Sequence, residues 1–357
     1  MSATPHTPIT ATEREAVRAA NDAAAAVAGT TSPNPPVGAV VLDADGRQVG
    51  VGATEPPGGR HAEVVALDAA GPAAAGGTLV VTLEPCNHTG RTGPCTQAVA
   101  MAGISRVVYV HPEPTRLAGG GAAALRARGI DIVCAQAAGI TAPALAPWLR
   151  AAVLSRPAVT LKFAQTLDGF TAAADGTSKW ITSREARLAV HADRARRDAI
   201  VVGTGTVLQD NPRLSARRAD GSLYAHQPLP VVVGSRDIPA GYYLDRPGVA
   251  RYPGISEALT GLWERGARDV LVEGGAGLLA SFVEAGVVDF IHAYIAPRLL
   301  GAGLSVLARP VVRTLSEAKG FSVTGVALYG DDVRVELVNP VDRAEEDGTR
   351  AQARTRR

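Results

Sequence analysis

Cysteine is scarce in this sequence, and its scarcity excludes one class of protein. Only three cysteines, Cys86, Cys95 and Cys134, occur in 357 residues. Three are too few for a disulfide framework, and an odd number is typical of proteins in a reducing compartment. We therefore expect a cytoplasmic protein without structural disulfides, in which the two neighbouring cysteines serve another purpose.

The sequence also lacks an excess of either charge and any long apolar run. Lys and Arg number 36 against 34 Asp and Glu, which gives a formal net charge of +2. That balance gives no basis for a nucleic-acid or membrane surface, and no apolar run is long enough to span a bilayer. The N-terminal stretch has no basic segment followed by an apolar one, so we expect no signal peptide. Small molecules are the partners that remain.

The sequence does have enough apolar residues to build two domains. Hydrophobic residues make up 46% of the chain, and 357 residues are comfortable for two cores. In the first half, a capping box at Thr10-x-x-Glu13 or Thr12-x-x-Glu15 begins an alanine-rich helix, and strands then alternate with helices. This alternation predicts a largely parallel sheet covered by helices on both faces.

A proline-containing stretch separates the two halves. The segment "TAPALAPWLRAAVLSRP" carries three prolines before a new strand begins, so we place the boundary near residues 148–157. The predicted domains are residues 10–147 and 157–340. Residues 342–357 are charged and poor in apolar side chains, which predicts a disordered tail.

The second half repeats the alternation of strands and helices. Thr182-x-x-Glu185 predicts the start of a helix that runs to about Arg197, and a terminal hairpin is predicted to turn at Gly330. The whole chain is therefore expected to be of the α/β class.

A cluster of possible metal ligands lies in the first half. His61 and Glu63 form a His-x-Glu motif, Cys86 follows a predicted strand, and Cys95 sits at the start of a predicted helix. One imidazole and two thiolates suit zinc, and three ligands leave a fourth position for an activated water. Glu63 lies close enough along the helix to carry protons, and the helix N-terminus is expected to favour the Cys95 thiolate. Zinc deaminases typically carry His-x-Glu followed by Pro-Cys-x-x-Cys, and this sequence differs from that pattern only in the cysteine spacing.

Simpler interpretations of these residues stay open. A lone His-Ala-Glu is commonly a helix turn, and two cysteines can be core residues. A purely structural zinc would require a fourth protein ligand, and His88 is the nearby candidate. Asn34 can be a turn residue between prolines. A zinc-stabilised binding protein for phosphorylated nucleosides is a rival function, which would have no need of Glu63 as a proton carrier.

The second half contains one possible dinucleotide motif. Gly275-x-Gly277-x-x-Ala280 follows the predicted strand "DVLVE" and opens a helix, as the fingerprint G-x-G-x-x-G/A requires. The glycines would allow backbone N–H groups to approach a phosphate at the helix N-terminus. A lone match of this kind is also found in ordinary strand-to-helix turns.

Longer motifs resemble one enzyme family. "PNPPVG", "HAE" and "TLEPCNHTGRTGPC" in the first half are similar to the bifunctional deaminase/reductase family of riboflavin biosynthesis. "TLKFAQTLDGF", "GTSKWITS", "VGTGTVLQDNPRLSAR" and "VEGG" in the second half resemble the reductase part of that family. The resemblance extends from about residue 12 to 340.

The resemblance implies two domains and two cofactors. The expected folds are an N-terminal cytidine-deaminase-like three-layer α/β/α domain and a C-terminal dihydrofolate-reductase-like α/β domain. The expected cofactors are Zn²⁺ in the first domain and NADPH in the second. The family also leads us to expect a homo-oligomer, a dimer or a tetramer, with no nucleic-acid or membrane partner.

The resemblance also implies the two reactions. The first is hydrolytic deamination of 2,5-diamino-6-ribosylamino-4(3H)-pyrimidinone 5′-phosphate. The second is reduction of the ribosyl group to ribityl, giving 5-amino-6-ribitylamino-uracil 5′-phosphate. The alternative is a zinc deaminase with a silent reductase-like domain.

Site residues follow from the resemblance by motif position. In the deaminase domain Glu63 is the catalytic group. The zinc ligands would be His61, Cys86 and Cys95, and the substrate contacts would be Asn34, His88 and Arg91. In the reductase domain the substrate contacts would be Lys162, Ser178, Arg194, Leu214, Arg217 and Glu273. The cofactor contacts would be Ala164, Trp180, Thr206, Asp210, Ser235, Gly275, Gly277 and Ser281.

The sequence departs from the family pattern in four places. Thr54 stands where the family usually has a histidine before "HAE", and "HPEP" at residues 111–114 replaces "DPNP". Phe170 replaces a basic residue after "LDG". The segment between Ser235 and Glu273 is shorter than usual, which predicts that a strand and a helix there are missing or reduced.

Overall fold

The computed structural model describes residues 8–88 and 93–340. The chain divides after Pro157 into two compact units, and Leu262–Arg268 groups with the first of them. The predicted boundary segment contains a helix, Ala146–Leu154, although it carries prolines. Residues 342–357, predicted to be a tail, lie outside the described residues.

The first unit contains one mixed sheet with helices around it. Its elements are α1 (Ala11–Val27), β1 (Gly38–Leu42), β2 (Gln48–Ala53), α2 (Ala62–Ala70), β3 (Thr78–Leu83), α3 (Cys95–Met101), β4 (Arg106–His111), α4 (Gly121–Arg126), β5 (Asp131–Cys134) and α5 (Ala146–Leu154). The strand order is β2-β1-β3-β4-β5. Strands β3, β4 and β5 are parallel, whereas β1 is antiparallel to both of its neighbours. The prediction of a parallel sheet is therefore confirmed for β3, β4 and β5, and it was wrong for β1, which is antiparallel to β3 as well as to its hairpin partner β2.

Alternating strand residues pack the helices on opposite faces of this sheet. Val40 and Val80 point to the face covered by α1, and Val41 and Leu79 point to the face covered by α2, α3 and α4. Strand side chains alternate between the two faces, so each buried strand contributes to both cores. This arrangement confirms the predicted three-layer α/β/α fold.

Helix α1 begins at the predicted capping box. The Glu13 backbone N–H donates to Thr10 Oγ1 at 3.1 Å, and the Thr10 backbone N–H donates to Glu13 Oε2 at 2.7 Å. These two bonds satisfy N–H groups that no turn of the helix can reach. The helix then lies so close to β1 that a Cβ on Gly38 would fall 1.8 Å from the Ala20 carbonyl oxygen.

The second half of the chain contains a larger sheet. Its elements are β6 (Ala158–Thr166), β7 (Phe170–Ala173), α6 (Arg184–Arg194), β8 (Ala199–Gly203), α7 (Thr204–Asp210), β9 (Leu229–Val233), β10 (Ala250–Tyr252), α8 (Ile255–Glu264), β11 (Asp269–Glu273), α9 (Ala276–Glu284), β12 (Phe290–Ala296), β13 (Gly303–Ser305), β14 (Ser322–Tyr329) and β15 (Asp332–Val338). The eight strands of the main sheet are ordered β10-β9-β8-β11-β6-β12-β15-β14, and β7 pairs with β13 separately. The first six strands in that order run parallel, and β15 is antiparallel to β12 and β14. The α/β class predicted for this half is confirmed.

Two predictions for the second half need correction. Helix α6 is capped by Ser183, whose Oγ accepts from the Ala186 N–H at 3.1 Å, and not by Thr182. The segment between Ser235 and Glu273 keeps both a strand and a helix, β10 and α8, although β10 is only three residues long. The helix α7 was not predicted at all.

No helix within residues 8–88 and 93–340 combines the length and the apolar character needed to cross a membrane.

The close contact of α1 with β1 gives a test of the fold. We expect Gly38→Ala to lower the free energy of unfolding by about 1–3 kcal/mol, because its methyl group would overlap the Ala20 carbonyl. Denaturant unfolding of the full chain, followed by circular dichroism, measures the change. Gly93→Ala is the matched control, since the nearest atom to its added Cβ is a Gln97 side-chain oxygen at 4.0 Å. Equal stability of the two variants would contradict the described packing.

Candidate functional site

Three side chains with metal-binding atoms meet in the first unit. His61 is the residue before α2, Cys86 follows β3, and Cys95 is the first residue of α3. His61 Nδ1 lies 3.6 Å from Cys86 Sγ and 3.3 Å from Cys95 Sγ. The ligand atoms of all three lie within 4.8 Å of one another. The structure thus brings together residues that are 34 positions apart in the chain.

These separations fit a zinc ion. With zinc bonds of ordinary length, a nitrogen and a sulfur at tetrahedral positions lie about 3.6 Å apart. The structure places only three such residues together in the part of the chain that it describes, and His88 is not among them. A set of three protein ligands is typical of catalytic zinc, whereas structural zinc has four.

The pKa values of the Cys86 and Cys95 thiols are shifted in opposite directions. A hydrogen bond from Cys95 lowers the pKa of Cys86 to about 4, although burial opposes the shift. The same bond, together with burial, raises the pKa of Cys95. The sequence predicted that the start of α3 would favour the Cys95 thiolate. The Cys95 N–H at the start of α3 points to Cys86 Sγ at 3.5 Å, and the ionisation of Cys95 toward a metal stays a prediction.

Glu63 lies beside this cluster and is buried. Burial raises the pKa of Glu63 to about 7, and the charge of Cys86 adds to the shift. A carboxyl group with a pKa near the working pH can both accept and donate a proton. The structure therefore places a buried carboxyl group with a raised pKa next to the three possible metal ligands.

A cavity of about 200 Å³ opens onto the same residues. The side chains that line it come from several loops and include two predicted substrate contacts, Asn34 and His88. His88 Nδ1 is buried and has no hydrogen-bond partner within the described residues. Asn34 is held in a turn in which Thr31 Oγ1 donates to the Asn34 carbonyl at 3.1 Å. The third predicted contact, Arg91, lies outside the described residues.

The cavity also contains residues that the sequence did not single out as site residues. These are Glu84, Glu113, Thr115 and Trp148. Glu84 Oε1 accepts from the Ala122 N–H at 2.8 Å, and Glu113 Oε1 accepts from Thr115 Oγ1 at 2.6 Å. Only the departure from "DPNP" to "HPEP" could have drawn attention to Glu113. Thr54, which replaces a family histidine, lines the cavity too, and its Oγ1 accepts from the Val37 N–H at 3.1 Å.

A second cluster lies in the other unit, where three predicted substrate contacts meet. Arg194, at the end of α6, donates through Nε and Nη2 to the two oxygens of Glu273, each at 2.7 Å. Lys162 Nζ on the adjacent strand lies 3.9 Å from Glu273 Oε2. Burial opposes ionisation of Glu273, but the charges of Arg194 and Lys162 outweigh it and lower its pKa to about 2. Burial also lowers the pKa of Lys162.

A layer of charged residues behind this cluster was not predicted. Arg197 Nη1 donates to Asp269 Oδ1 at 2.7 Å, and its Nε donates to Asp193 Oδ1 at 3.0 Å. His292 Nδ1 lies 3.0 Å from Asp193 Oδ2. Burial opposes ionisation of Asp193, but Arg197 and His292 outweigh it and hold its pKa well below the usual range. Asp193 lies next to Arg194 in α6, so this layer fixes the end of the helix that carries Arg194.

Two more predicted substrate contacts, Arg217 and Leu214, lie in the loop after α7. The Ser215 carbonyl accepts from Arg194 Nη1 at 3.1 Å, and Arg217 Nε donates to Ser215 Oγ at 2.8 Å. Leu214 has a positive φ of 52° and a side chain buried in the core. The Leu214 side chain therefore packs with the core, and only its backbone can face a ligand.

Some of the predicted cofactor contacts lie together at the start of α9, where the chain leaves strand β11. Gly275 precedes α9, and its N–H donates to Thr206 Oγ1 at 2.8 Å, which ties the start of α9 to α7. An added Cβ on Gly277 would meet nothing within 4 Å. Ser281 Oγ donates to the Gly277 carbonyl at 3.1 Å. The open start of the nine-residue helix α9 fits an anionic group such as a pyrophosphate.

The remaining predicted contacts belong neither to the start of α9 nor to the Glu273 cluster. Trp180 is exposed and stacks with the Arg187 guanidinium, 4.3 Å from the ring centroid. Ala164 packs beside the buried Tyr294. Ser178, Asp210 and Ser235 lie on loops or at the end of α7, and no hydrogen bond described in residues 93–340 joins them to the Glu273 cluster.

Family models match both units. The model for the cytidine and deoxycytidylate deaminase zinc-binding region matches residues 10–111. The model for the RibD C-terminal domain matches residues 157–325. The first match covers all three metal-binding residues, and the second covers the cluster of Lys162, Arg194 and Glu273.

Curated relatives cover most of the chain. Riboflavin biosynthesis protein RibD of Corynebacterium ammoniagenes is 56% identical over 308 residues, which are 85% of this chain and 91% of the relative. RibD of Mycobacterium tuberculosis is 48% identical over 319 residues, which are 87% of this chain and 93% of the relative.

Solved structures show the same two-part chain. A diaminohydroxyphosphoribosylaminopyrimidine deaminase/5-amino-6-(5-phosphoribosylamino)uracil reductase from Thermotoga maritima matches with a TM-score of 0.80 and 31% identity, over 92% of this chain and 99% of that one. Acinetobacter baumannii RibD matches with a TM-score of 0.79 and 32% identity, over 92% and 98%. These matches and the two sites agree: the chain belongs to the RibD family of riboflavin biosynthesis proteins.

Proposed function

We propose that this chain catalyses two consecutive steps of riboflavin synthesis. The first removes an amino group from 2,5-diamino-6-ribosylamino-4(3H)-pyrimidinone 5′-phosphate by hydrolysis. The second reduces the ribosyl group of the product to ribityl with NADPH. The observation that carries the proposal is that one chain holds both clusters, His61–Cys86–Cys95 beside Glu63 and Lys162–Arg194–Glu273.

The alternative of a deaminase with a silent second domain is not favoured. The match to the RibD C-terminal domain covers residues 157–325. The segment after Ser235, in which a strand and a helix were predicted to be missing or reduced, keeps a three-residue strand, β10, and a ten-residue helix, α8. The half-buried ion pair of Arg194 and Glu273 is also complete.

The deaminase step depends on proton transfer by Glu63. Zinc, when held by His61, Cys86 and Cys95, lowers the pKa of a water molecule so that hydroxide is available at neutral pH. Glu63 accepts a proton from the attacking water and donates one to the departing amino group, so that ammonia leaves and a carbonyl remains. Its raised pKa suits both transfers.

Substrate recognition in this domain falls to the cavity residues. We assign Asn34 and His88 to the pyrimidine and its ribosyl link, because both line the cavity and the buried His88 Nδ1 has no hydrogen-bond partner among the residues that the structure describes. Arg91 is assigned to the phosphate, since a guanidinium binds phosphate through two parallel hydrogen bonds.

The reductase step requires the substrate to be held against the cofactor. NADPH, when bound at the start of α9, supplies a hydride to C1 of the opened, imine-like ribose. Arg217, Ser178 and the backbone at Leu214 are assigned to the ribosyl phosphate. Lys162 is the proton donor we favour for the imine nitrogen, because it is half-buried beside Glu273 and its pKa is lowered, whereas Asp210 is exposed at the end of α7.

Trp180 and Ala164 are assigned to the nicotinamide end of the cofactor, and Thr206, Ser235 and Gly275 to its other end. A homo-oligomer stays a prediction.

The role of Glu63 gives the first functional test. We expect Glu63→Gln to reduce ammonia release by at least ~100-fold, because the amide cannot carry a proton between water and leaving group. Zinc content, measured by mass spectrometry, should stay at the wild-type level. Glu15→Gln is the control, since Glu15 is an exposed carboxylate on α1 and its substitution should leave turnover unchanged. Undiminished ammonia release by Glu63→Gln would show that the proposed proton transfer is wrong.

The Glu273 ion pair gives the second test. Glu273→Gln keeps the side-chain size but leaves Arg194 without its carboxylate, so the substrate-binding residues should shift. We expect NADPH oxidation with the deaminated substrate to fall ~100-fold. Ammonia release by the same preparation should remain at the wild-type rate, which shows that the first domain is folded. Wild-type NADPH oxidation by this variant would remove Glu273 from the reductase site.

A further inference from the structure

The ends of three neighbouring strands define the edge at which the cofactor is expected. Strands β11, β8 and β9 are adjacent and parallel, so the chain leaves all three at the same edge of the sheet. Beyond that edge lie the start of α9, the start of α7, and the loop that contains Ser235 and Arg236. Ligands of open α/β sheets bind outside the carboxyl ends of the strands.

Side-chain contacts connect these three segments in a row. The Gly275 N–H donates to Thr206 Oγ1 at 2.8 Å, which joins the end of β11 to the end of β8. Arg236 Nε donates to Thr204 Oγ1 at 3.3 Å, which joins the end of β9 to the end of β8. The row therefore runs from Gly275 through α7 to the guanidinium of Arg236.

The guanidinium of Arg236 lies against the backbone of Gly205. A Cβ added to Gly205 would fall 2.9 Å from Arg236 Nη2, so a side chain here would displace the guanidinium. Because Nε is bonded to Thr204, the two Nη groups remain to donate to a ligand.

Arg236 has no carboxylate partner among the residues that the structure describes. Two other exposed arginines of this unit do have a carboxylate partner, Arg309 with Glu284 and Arg251 with Asp245. Asp237 follows Arg236 in the chain, but no ion pair joins the two. Arg236 is thus an exposed positive charge, positioned by a threonine and available to an anion.

We infer that Arg236 binds the 2′-phosphate of NADPH and makes this unit select NADPH over NADH. The inference rests on the proposed function, which places the cofactor pyrophosphate at Gly275. Adjacent strands are about 4.8 Å apart, so the end of β9 lies on the order of 10 Å from the end of β11. This distance suits the adenosine part of a dinucleotide that extends from the pyrophosphate toward Arg236.

The chemistry of the 2′-phosphate explains why an arginine is suited to this position. The phosphate is a dianion that a guanidinium binds with two parallel hydrogen bonds, whereas NADH offers only a neutral 2′-hydroxyl. In dinucleotide-binding sheets an acidic residue typically binds that hydroxyl, and an arginine accommodates the phosphate. Arg236 therefore adds affinity for NADPH and none for NADH.

The test is a comparison of direct binding by full-length Arg236→Gln and wild-type protein. Titration calorimetry would give dissociation constants for NADPH, NADH and adenosine 2′,5′-bisphosphate. We expect the variant to bind NADPH and the bisphosphate roughly 10- to 100-fold more weakly, the loss typical of a hydrogen-bonded charge, with no change for NADH. Arg236→Lys should lose less than Arg236→Gln, because it keeps the charge.

Arg246→Gln is the matched control, because Arg246 is also exposed and its Nε donates to the Tyr243 carbonyl. This variant should bind all three ligands as the wild type does. Equal weakening of NADPH and NADH by Arg236→Gln, or no weakening of either, would overturn the inference. A wild-type protein that binds neither nucleotide would instead contradict the proposed reductase function.

Discussion

The compensation of carboxylates removed from water is the constraint on which both sites depend. A carboxylate removed from water is stable only if positive charge or hydrogen bonds compensate it. Glu273 meets this requirement through the two bonds from Arg194 and the nearby charge of Lys162. Glu63 is less fully compensated: burial and the charge of Cys86 raise its pKa to about 7, although its own backbone N–H, the charge of His61 and a hydrogen bond from Cys95 oppose the shift.

The two units use this constraint in opposite ways. In the deaminase domain, incomplete compensation leaves Glu63 able to exchange a proton close to neutral pH. In the reductase domain, compensation is complete, so Glu273 stays ionised and holds Arg194 in place. One carboxylate is therefore suited to proton transfer, and the other to the positioning of its neighbours.

The sheet architecture explains why the sites form where they do. Cys86 follows β3, Glu273 ends β11, and Gly275 lies two residues after Glu273. Side chains that follow adjacent parallel strands lie close together, even when the chain between them is long. The Arg194–Glu273 pair spans 79 residues of sequence and is still held by two bonds of 2.7 Å.

The sequence predicted those features that local patterns determine. The capping box of α1 and the ligands His61, Cys86 and Cys95 follow from short motifs, because each pattern permits few other arrangements. Glu273 and Arg194 were predicted as site residues only through the family resemblance, and their pairing was not predicted. Nothing local indicates the bond between His292 and Asp193, which are 99 residues apart.

The sequence could not decide between neighbouring residues that are equally suited to the N-cap position of a helix. Thr182 and Ser183 are both good N-cap residues, and tertiary contacts decide between them. The Ser183 N–H donates to Asp332 at 2.6 Å, and its Oγ donates to the Tyr329 carbonyl at 3.0 Å. Antiparallel insertion of β1 was missed for a similar reason, since a buried strand gives no sign of its direction in the sheet.

The most direct test of the two-step activity is a coupled assay on wild-type protein of known zinc content. The diaminopyrimidinone ribosyl phosphate would be supplied with and without NADPH, and ammonia and NADPH absorbance would be followed together. We predict ammonia release without NADPH, and NADPH consumption only after deamination. Ammonia release with no loss of NADPH would contradict the two-step activity and leave a deaminase alone.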